Sequence, residues 1–406
     1  MNIEVSTVKG FQDFLPPESL KRQTVKKIIE KNFKLYGFLP IETPVVEFDE
    51  LMKSDTLEAE DEAVSDRFRL QDRAKRNLGL RYEFTFQLAR IFKENPNIKL
   101  PFRRYQIGEV FRDEPTGSKR FRQFTQCDAD IVGESSIDAD AECLSLVSDI
   151  LKELKINAEI QVNNRKLLNS IIASVQIENP MNVMRELDKI DKIGEDAIKV
   201  NLQKYADKNQ ILTLFKLLEK SLEFFKENAF DGAKELEELM EKCSNYGVKL
   251  EFNPFMVRGF GYYTGDIFEI RIEGQKETIG AGGRYDKVVG KYLGKEIPAV
   301  GISFGLERVS ELAKVEAEAT QVIIISLSQD KESIKLAKKL RKSNVSCVVE
   351  FGKPGKALDY ANSLQIPYAI FIGEEEIEKG KLKLKDMKSG EEKYLTEKQV
   401  LKALIK

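Results

Sequence analysis

Three arginines stand beside glycines or acids in well-separated segments: Arg112 in FRDEP, Arg258 in MVRGFGYYTG and Arg308 in FGLER. A guanidinium is planar, permanently charged and presents a fork of donors, so three of them suit a polyphosphate anion. The stretch LPFRRYQIGEVFRDEPTGSKRFRQFTQCDADIVG (100–133) reads as two strands joined by a basic loop through Gly117, Lys119 and Arg120. Alternation along it puts Arg112, Glu114, Phe124, Gln126 and Asp130 on or near one sheet surface. Such a surface offers a guanidinium for phosphate, an aromatic face for a base and a carboxylate for a polar ligand. In LRYEFT (80–85), Glu83 and Thr85 are two residues apart. On a strand that spacing puts a carboxylate and a hydroxyl on one side, suited to holding an ammonium group and equally to a cross-strand salt bridge. The chain contains no histidine. Histidine general-base catalysis, histidine metal sites and the Ser-His-Asp class are therefore excluded, and the chemistry must run on carboxylates, guanidiniums, amides and a bound metal.

Taken singly, the segments stay ambiguous. Arg112 is also consistent with a surface arginine paired to Asp113 and Glu114, and Arg258 with a structural arginine paired to Asp266 or Glu269. The glycines at 280, 282 and 283 in IGAGGRYD match neither G-x-G-x-x-G nor the P-loop pattern. They indicate either a tight turn or a close backbone approach to a ligand.

The elements that must position these residues fall into blocks. Leu20 to Tyr36 is a helical stretch stopped at Gly37, followed by a proline-interrupted edge segment, Phe38 to Glu47. Phe68 to Arg73 and Leu78 to Phe86 look like strands, Ser136 to Leu154 like a helix and Ala158 to Val162 like a strand. From 163 to 247 helical periodicity dominates, for instance Leu214, Phe215, Leu217 and Leu218. Sheet character resumes at Lys249, and Ala299 to Phe304 with Gly305 to Lys314 reads as strand and helix. Beyond Val315 a β-α-β-α-β alternation, a polar hairpin and a terminal helix form a compact α/β module. The expected division is 1–162, 163–247, 248–316 and 320–406.

A chain of 406 residues with a formal net charge of -2 carries no global basic field, so nucleic-acid contacts would be local. Cys127, Cys143, Cys243 and Cys347 form no CxxC pair, which fits a reducing cytosol. No apolar run reaches transmembrane length and the N-terminus lacks a signal core, so a cytoplasmic location without a membrane partner is expected.

Together the segments resemble a known family. The chain is similar to class II aminoacyl-tRNA synthetases, most of all to histidyl-tRNA synthetases of the archaeal or eukaryotic-like kind. KGFQDFLP (9–16), the stretch from Gly37 to Glu47, Phe111 to Asp128 and Gly301 to Arg308 resemble the family's N-terminal signature and class motifs 1, 2 and 3. LRYEFT, QCDAD (126–130), LDKIDKIG (187–194), VRGFGYYTG (257–265) and AGGRYD (281–286) are more specific to the histidine enzyme.

The resemblance implies an α+β fold: an antiparallel sheet of six or seven strands with flanking helices, a helical insertion and a C-terminal α/β anticodon-binding domain. It implies a homodimer that joins histidine, activated with ATP and Mg²⁺, to tRNA(His). Carried over, Arg112 would meet the α-phosphate and Arg308 the γ-phosphate, Phe124 would stack on adenine and Glu114 would lie at its amino edge. Glu83, Thr85 and Gln126 would hold the α-amino group, Asp130 and Tyr263 the imidazole, with Tyr262 also in the histidine pocket. Arg258 would bridge the substrate carboxylate and the α-phosphate. Gly261 stands where the family usually has an acid (LDYY), which leaves open what supports Arg258. Two other readings are carried: a non-catalytic paralogue acting as a histidine-sensing regulatory subunit, and a stand-alone RNA-binding protein.

Overall fold

The structure is a computed structural model and describes residues 5–52, 66–117, 120–259, 261–275, 277–317 and 320–405. Lys119 of the basic loop and Phe260 lie outside the described residues. The chain divides into two compact units. One holds Val25–Val315 with the segment leading up to Asp13; the other holds the chain from Glu316 onward with Phe14–Thr24.

The first unit is built on an eight-stranded sheet. From edge to edge its strands are Leu39–Pro40, Phe102–Phe111, Gln123–Val132, Ala299–Gly305, Thr278–Arg284, Asp266–Ile272, Ala158–Asn164 and Glu251–Phe252. The six inner strands are antiparallel throughout, and the two-residue strands at the edges pair in parallel. Eight strands replace the expected six or seven because a two-residue edge strand, one of them ending in proline, is too short to show periodicity.

Alternation sets the two faces of Gln123–Val132. Cys127, Ala129 and Ile131 are fully buried on the side covered by the helix Ile137–Leu154, whose Ala141, Leu144, Val147 and Ile150 are fully buried too. Phe124, Gln126, Asp128 and Asp130 take the opposite face. Gly282 answers a close approach inside the sheet: a Cβ there would lie 2.1 Å from the carbonyl oxygen of Gly301 and 2.6 Å from the Phe268 ring. The glycine stretch is strand interior, not a turn, and the closest contacts at Gly282 are with the fold itself.

A small antiparallel sheet, Val46–Phe48, Asn77–Leu80 and Arg69–Gln71, leads into the helix Phe86–Glu94. Glu83 and Thr85 sit in the loop between them, so the strand expected to reach Phe86 ends at Leu80. Buried Arg81 ends it, donating to the carbonyls of Glu109 (2.7 Å) and Thr43 (2.8 Å). Glu83 then accepts the N–H of Phe86 at 2.9 Å, satisfying a first-turn donor of the helix.

Between Arg165 and Asn245 the chain is helical. Asn164 caps the first of these helices by accepting from Lys166 and Leu167, and an Asp207–Gln210 capping box opens Lys208–Leu218. The second unit is a five-stranded sheet in the order Cys347–Glu350, Val322–Ser326, Tyr368–Ile372, Leu382–Asp386, Glu392–Leu395. The first three strands are parallel and the last two form the hairpin. Val322–Ser326 is buried along its whole length, as a central parallel strand covered on both faces must be.

The sheet makes one stability prediction. Gly282→Ala forces a methyl against backbone and an aromatic ring, and overpacking of this kind costs about 1–3 kcal/mol. The urea midpoint should fall accordingly; an unchanged midpoint would mean that the strands can spread at no cost.

Candidate functional site

Register decides what meets on the open face. One row across the sheet runs Arg104, Asp130, Gly301, Gly283, Ile267; the next runs Gln106, Asp128, Ser303, Ala281, Glu269. A cavity of about 420 Å³ stands over these rows. Its lining includes every residue singled out from the sequence: Glu83, Thr85, Arg112, Glu114, Phe124, Gln126, Asp130, Arg258, Tyr262, Tyr263 and Arg308. They come from the loop before Phe86, the long hairpin, the segment before Asp266 and the helix after Gly305.

The inner end is dense with acids. Glu83, Asp128 and Asp130 are all buried, and so is Arg104, which is 0% exposed. Arg104 Nη2 lies 2.7 Å from Asp130 Oδ2, and the Tyr285 hydroxyl donates to Asp130 Oδ1. Gly301 makes room for this carboxylate, because a Cβ there would lie 2.0 Å from Asp130 Oδ1. Glu83 accepts from the Tyr262 hydroxyl at 3.3 Å, and Gln126 donates to Ser303 Oγ at 2.6 Å. Gln126 Oε1 and Asp128 Oδ1 are buried without a hydrogen-bond partner.

Burial drives the titration of these groups. It raises the Glu83 and Asp130 carboxyls above the ordinary range, against the pull of Arg112 on the first and Arg104 on the second. Asp128 is pushed up to about 8, by burial first, with Asp130 and Glu83 adding and Arg104 opposing. Burial alone would weaken the Arg104 charge, but Asp130, Asp128 and Glu83 more than offset it.

The outer end is half-buried and combines cations with rings. The Arg112 guanidinium lies 4.4 Å from the centre of the Tyr82 ring and 5.0 Å from that of Phe124. Glu114 accepts from the Tyr82 hydroxyl at 3.2 Å and pairs with Arg120 at 2.5 Å. Arg308 donates to the carbonyl of Thr278 at 2.6 Å. Lys192, on the short helix Ile190–Ile193, brings the helical segment to the cavity wall.

Arg258 sits between the two ends. Its φ is +62°, a left-handed conformation that costs a non-glycine residue about 1–3 kcal/mol. Its Nη1 lies 2.7 Å from Glu269 Oε1; Glu269 pairs with Arg271 at 2.9 Å, and Arg271 with Asp191 at 2.8 Å. The acid missing at Gly261 is therefore answered by Glu269, with the Asp188 carboxylate also acting on the guanidinium. Asp266, the other partner considered, instead accepts from Asn164 at 2.8 Å.

Sequence reasoning missed Arg104, Asp128, Lys192 and Tyr285, while Glu269 was one of the two partners considered for Arg258. Asp128 was recoverable, because it shares parity with Gln126 and Asp130 on one strand. The other three reach the site from segments whose convergence no local pattern displays.

Comparison with known proteins covers nearly the whole chain. The family model described as histidyl-tRNA synthetase matches residues 10–309, and the anticodon binding domain model matches residues 321–406. Histidine–tRNA ligase 1 of Bacillus cereus is 40% identical, covering 96% of this chain and 95% of its own. Its Bacillus anthracis counterpart is 39% identical, covering 96% and 97%. A crystal structure of histidyl-tRNA synthetase from Nostoc sp. PCC 7120 superposes with a TM-score of 0.87 at 28% identity, covering 99% of both chains. These relatives are bacterial, and the archaeal or eukaryotic-like assignment finds no support among them.

The Arg104 cluster predicts a pH-dependent loss. Arg104→Met leaves Asp128 and Asp130 buried without their cation, a change that typically costs about 3–5 kcal/mol. Both carboxyls already titrate above their unfolded range, so the fold binds more protons than the unfolded chain and stability falls as pH rises. The deficit of the variant should therefore be small near pH 5 and large near pH 8 in denaturant melts. An equal deficit at both would mean lost packing, not lost charge.

Proposed function

The chain belongs to the histidyl-tRNA synthetase family, and from that premise we propose how its cavity activates histidine with ATP and passes the histidyl group to tRNA(His). One observation carries the reading: a buried, acid-rich end and a cationic, aromatic end share one cavity, with Arg258 between them. The acid-rich end suits an ammonium and an imidazole. The other end suits an adenine and its phosphates.

In the first step a carboxylate oxygen of histidine attacks the α-phosphorus, and the bond to the bridging oxygen breaks as pyrophosphate leaves with the electron pair. The carboxylate is already ionised, so no side-chain base is needed; alignment and charge neutralisation suffice. Arg112 takes the α-phosphate, Arg308 the γ-phosphate, and Arg258 spans the attacking carboxylate and the α-phosphate. Phe124 stacks on adenine and Glu114 meets its amino edge. Glu83, Thr85 and Gln126 hold the α-amino group, and Asp130 with Tyr263 and Tyr262 frames the imidazole. An apolar competitor would leave these buried groups unpaired, a penalty that reaches about 10⁴–10⁵ in discrimination.

Mg²⁺ bound beside the substrate phosphates would supply further neutralisation of their charge. Among the described residues no cluster of three or more acids or cysteines could cage a metal. Magnesium commonly needs only one or two carboxylates beside substrate phosphates, and Glu307 in the cavity lining would supply one.

We further divide the chain into catalytic segments 1–162 and 248–316, a helical insertion 163–247 and a tRNA-reading module 320–406. The protein acts in the cytoplasm; among the described residues no helix is long and apolar enough to cross a membrane. It works as a homodimer, and Leu39, Val45, Val46, Phe48 and Leu70, between 39% and 61% exposed, give a second copy an apolar surface to cover. Sedimentation should yield the mass of two chains, and a monomer at micromolar concentration would remove that assignment.

Histidine-dependent ATP–pyrophosphate exchange tests the activity. Binding of histidine without exchange would favour the regulatory-subunit reading. Arg258→Ala should slow single-turnover adenylate formation by about 10²–10³ while ATP affinity changes little. Lys should rescue poorly, because its ammonium cannot bridge two oxyanions as a fork does. A variant that melts early yet forms adenylate at the wild-type rate per folded molecule would make Arg258 structural.

A further inference from the structure

The inner end of the cavity holds more acid than it can neutralise. Glu83, Asp128 and Asp130 are each less than a tenth exposed, and Arg104 is committed to Asp130 at 2.7 Å. Arg112 acts on Glu83 from the outer end, and Arg258 is held by Glu269. Asp128 therefore shares the field of Arg104 with Asp130 and has no ion pair of its own.

Its neighbours do not make up the difference. Gln106, its register partner on Phe102–Phe111, gives an amide N–H to Thr43 at 2.9 Å. Ser303, across the other ladder, accepts the Gln126 amide and gives its own hydroxyl to the Asp128 carboxyl, which still leaves Oδ1 without a partner. Tyr285 donates to Asp130, and Tyr262 to Glu83. Asp128 Oδ1 and Gln126 Oε1 remain buried acceptors without a partner, two residues apart on one face of one strand. A buried acceptor left unpaired costs about 1–3 kcal/mol, so a fold that keeps two adjacent ones is prepared for a donor.

Resting on the reading of this cavity as a histidine site, we propose that Asp128 is a further anchor of the substrate ammonium, that it carries a proton while the cavity is empty, and that the incoming ammonium displaces that proton to solvent. The O–H bond of Asp128 breaks, its electron pair stays on the carboxylate and the ammonium keeps its three hydrogens. Charge then balances in both states: a proton neutralises the excess acid before binding and the ammonium neutralises it after. The titration of Asp128 near 8 agrees with this count. The sign follows: binding requires the ionised carboxyl and the protonated amine, so histidine affinity rises as pH approaches about 8 and falls again once the substrate ammonium loses its own proton. Free imidazole titrates near 6.5 and contributes little to that rise above pH 7.

Calorimetric titration of the full chain with L-histidine at pH 7.5, in phosphate and in Tris, reads the protons released. The wild type should release most of one proton. Asp128→Asn should release almost none and bind about 10- to 100-fold more weakly. The wild-type measurement stands alone if the variant folds poorly. Histidine binding with no proton release, or equal release by wild type and variant, overturns the proposal while leaving the histidine site intact. Failure of the wild type to bind histidine overturns both.

Discussion

A guanidinium with no solvent exposure underlies the acid-rich end of this site. Arg104 gives up all of its hydration, which is costly for any ion, and is compensated by Asp130 at 2.7 Å, the Phe84 carbonyl at 3.3 Å and the nearby field of Asp128 and Glu83. The dependence runs both ways. Three carboxylates cannot stay close together in a low-dielectric pocket without a cation beneath them, and the cation cannot stay there without the carboxylates. Neighbouring strands fix the pair: Arg104 and Asp130 are register partners, so a slip of either strand by one residue would put the two on opposite faces. Gly301 follows from the same geometry, because any side chain there would occupy the space of the Asp130 carboxylate.

Away from that pair, charge is passed outward along a line. Arg258, Glu269, Arg271 and Asp191 form successive contacts of 2.7, 2.9 and 2.8 Å. The line begins at the cavity, crosses the sheet floor and ends on the short helix Ile190–Ile193 of the helical segment. Arg258 adopts an unfavourable backbone conformation at its head, and Glu269 on a rigid strand keeps the guanidinium in place. A motion of the helical segment would be felt first through Asp191 and Lys192. The two ends of the cavity thus differ in kind: the inner one is buried and dense with acids, the outer one is half-buried and lined by guanidiniums and rings.

Much of this was legible in the chain before any fold was known. Alternation in QFTQCDAD set one face of a strand, since side chains on a strand repeat every two residues, and the same rule would have added Asp128. The β-α-β-α-β alternation after Val315 appeared in the structure as read, because a fully buried parallel strand such as Val322–Ser326 leaves an unbroken apolar run. The absence of histidine fixed the kind of chemistry. Other features had no local signature. The strand expected to reach Phe86 stops at Leu80, because Arg81 is drawn to the carbonyls of Thr43 and Glu109 and Glu83 to the start of the next helix. The short edge strands exist only because longer neighbours offer them free backbone groups.

The sequence by itself determined the residue types, their parity on each strand and the family motifs that go with them. Only the tertiary structure decided which charges meet. Arg104 and Tyr285 both reach Asp130, Glu269 and not Asp266 holds Arg258, and Asp128 is left over. The physical reason is range. Periodicity is a property of neighbours along the chain, whereas pairing of buried charges depends on distances of a few ångströms between strands far apart in sequence, where each unmatched ion must find a partner or hold a proton.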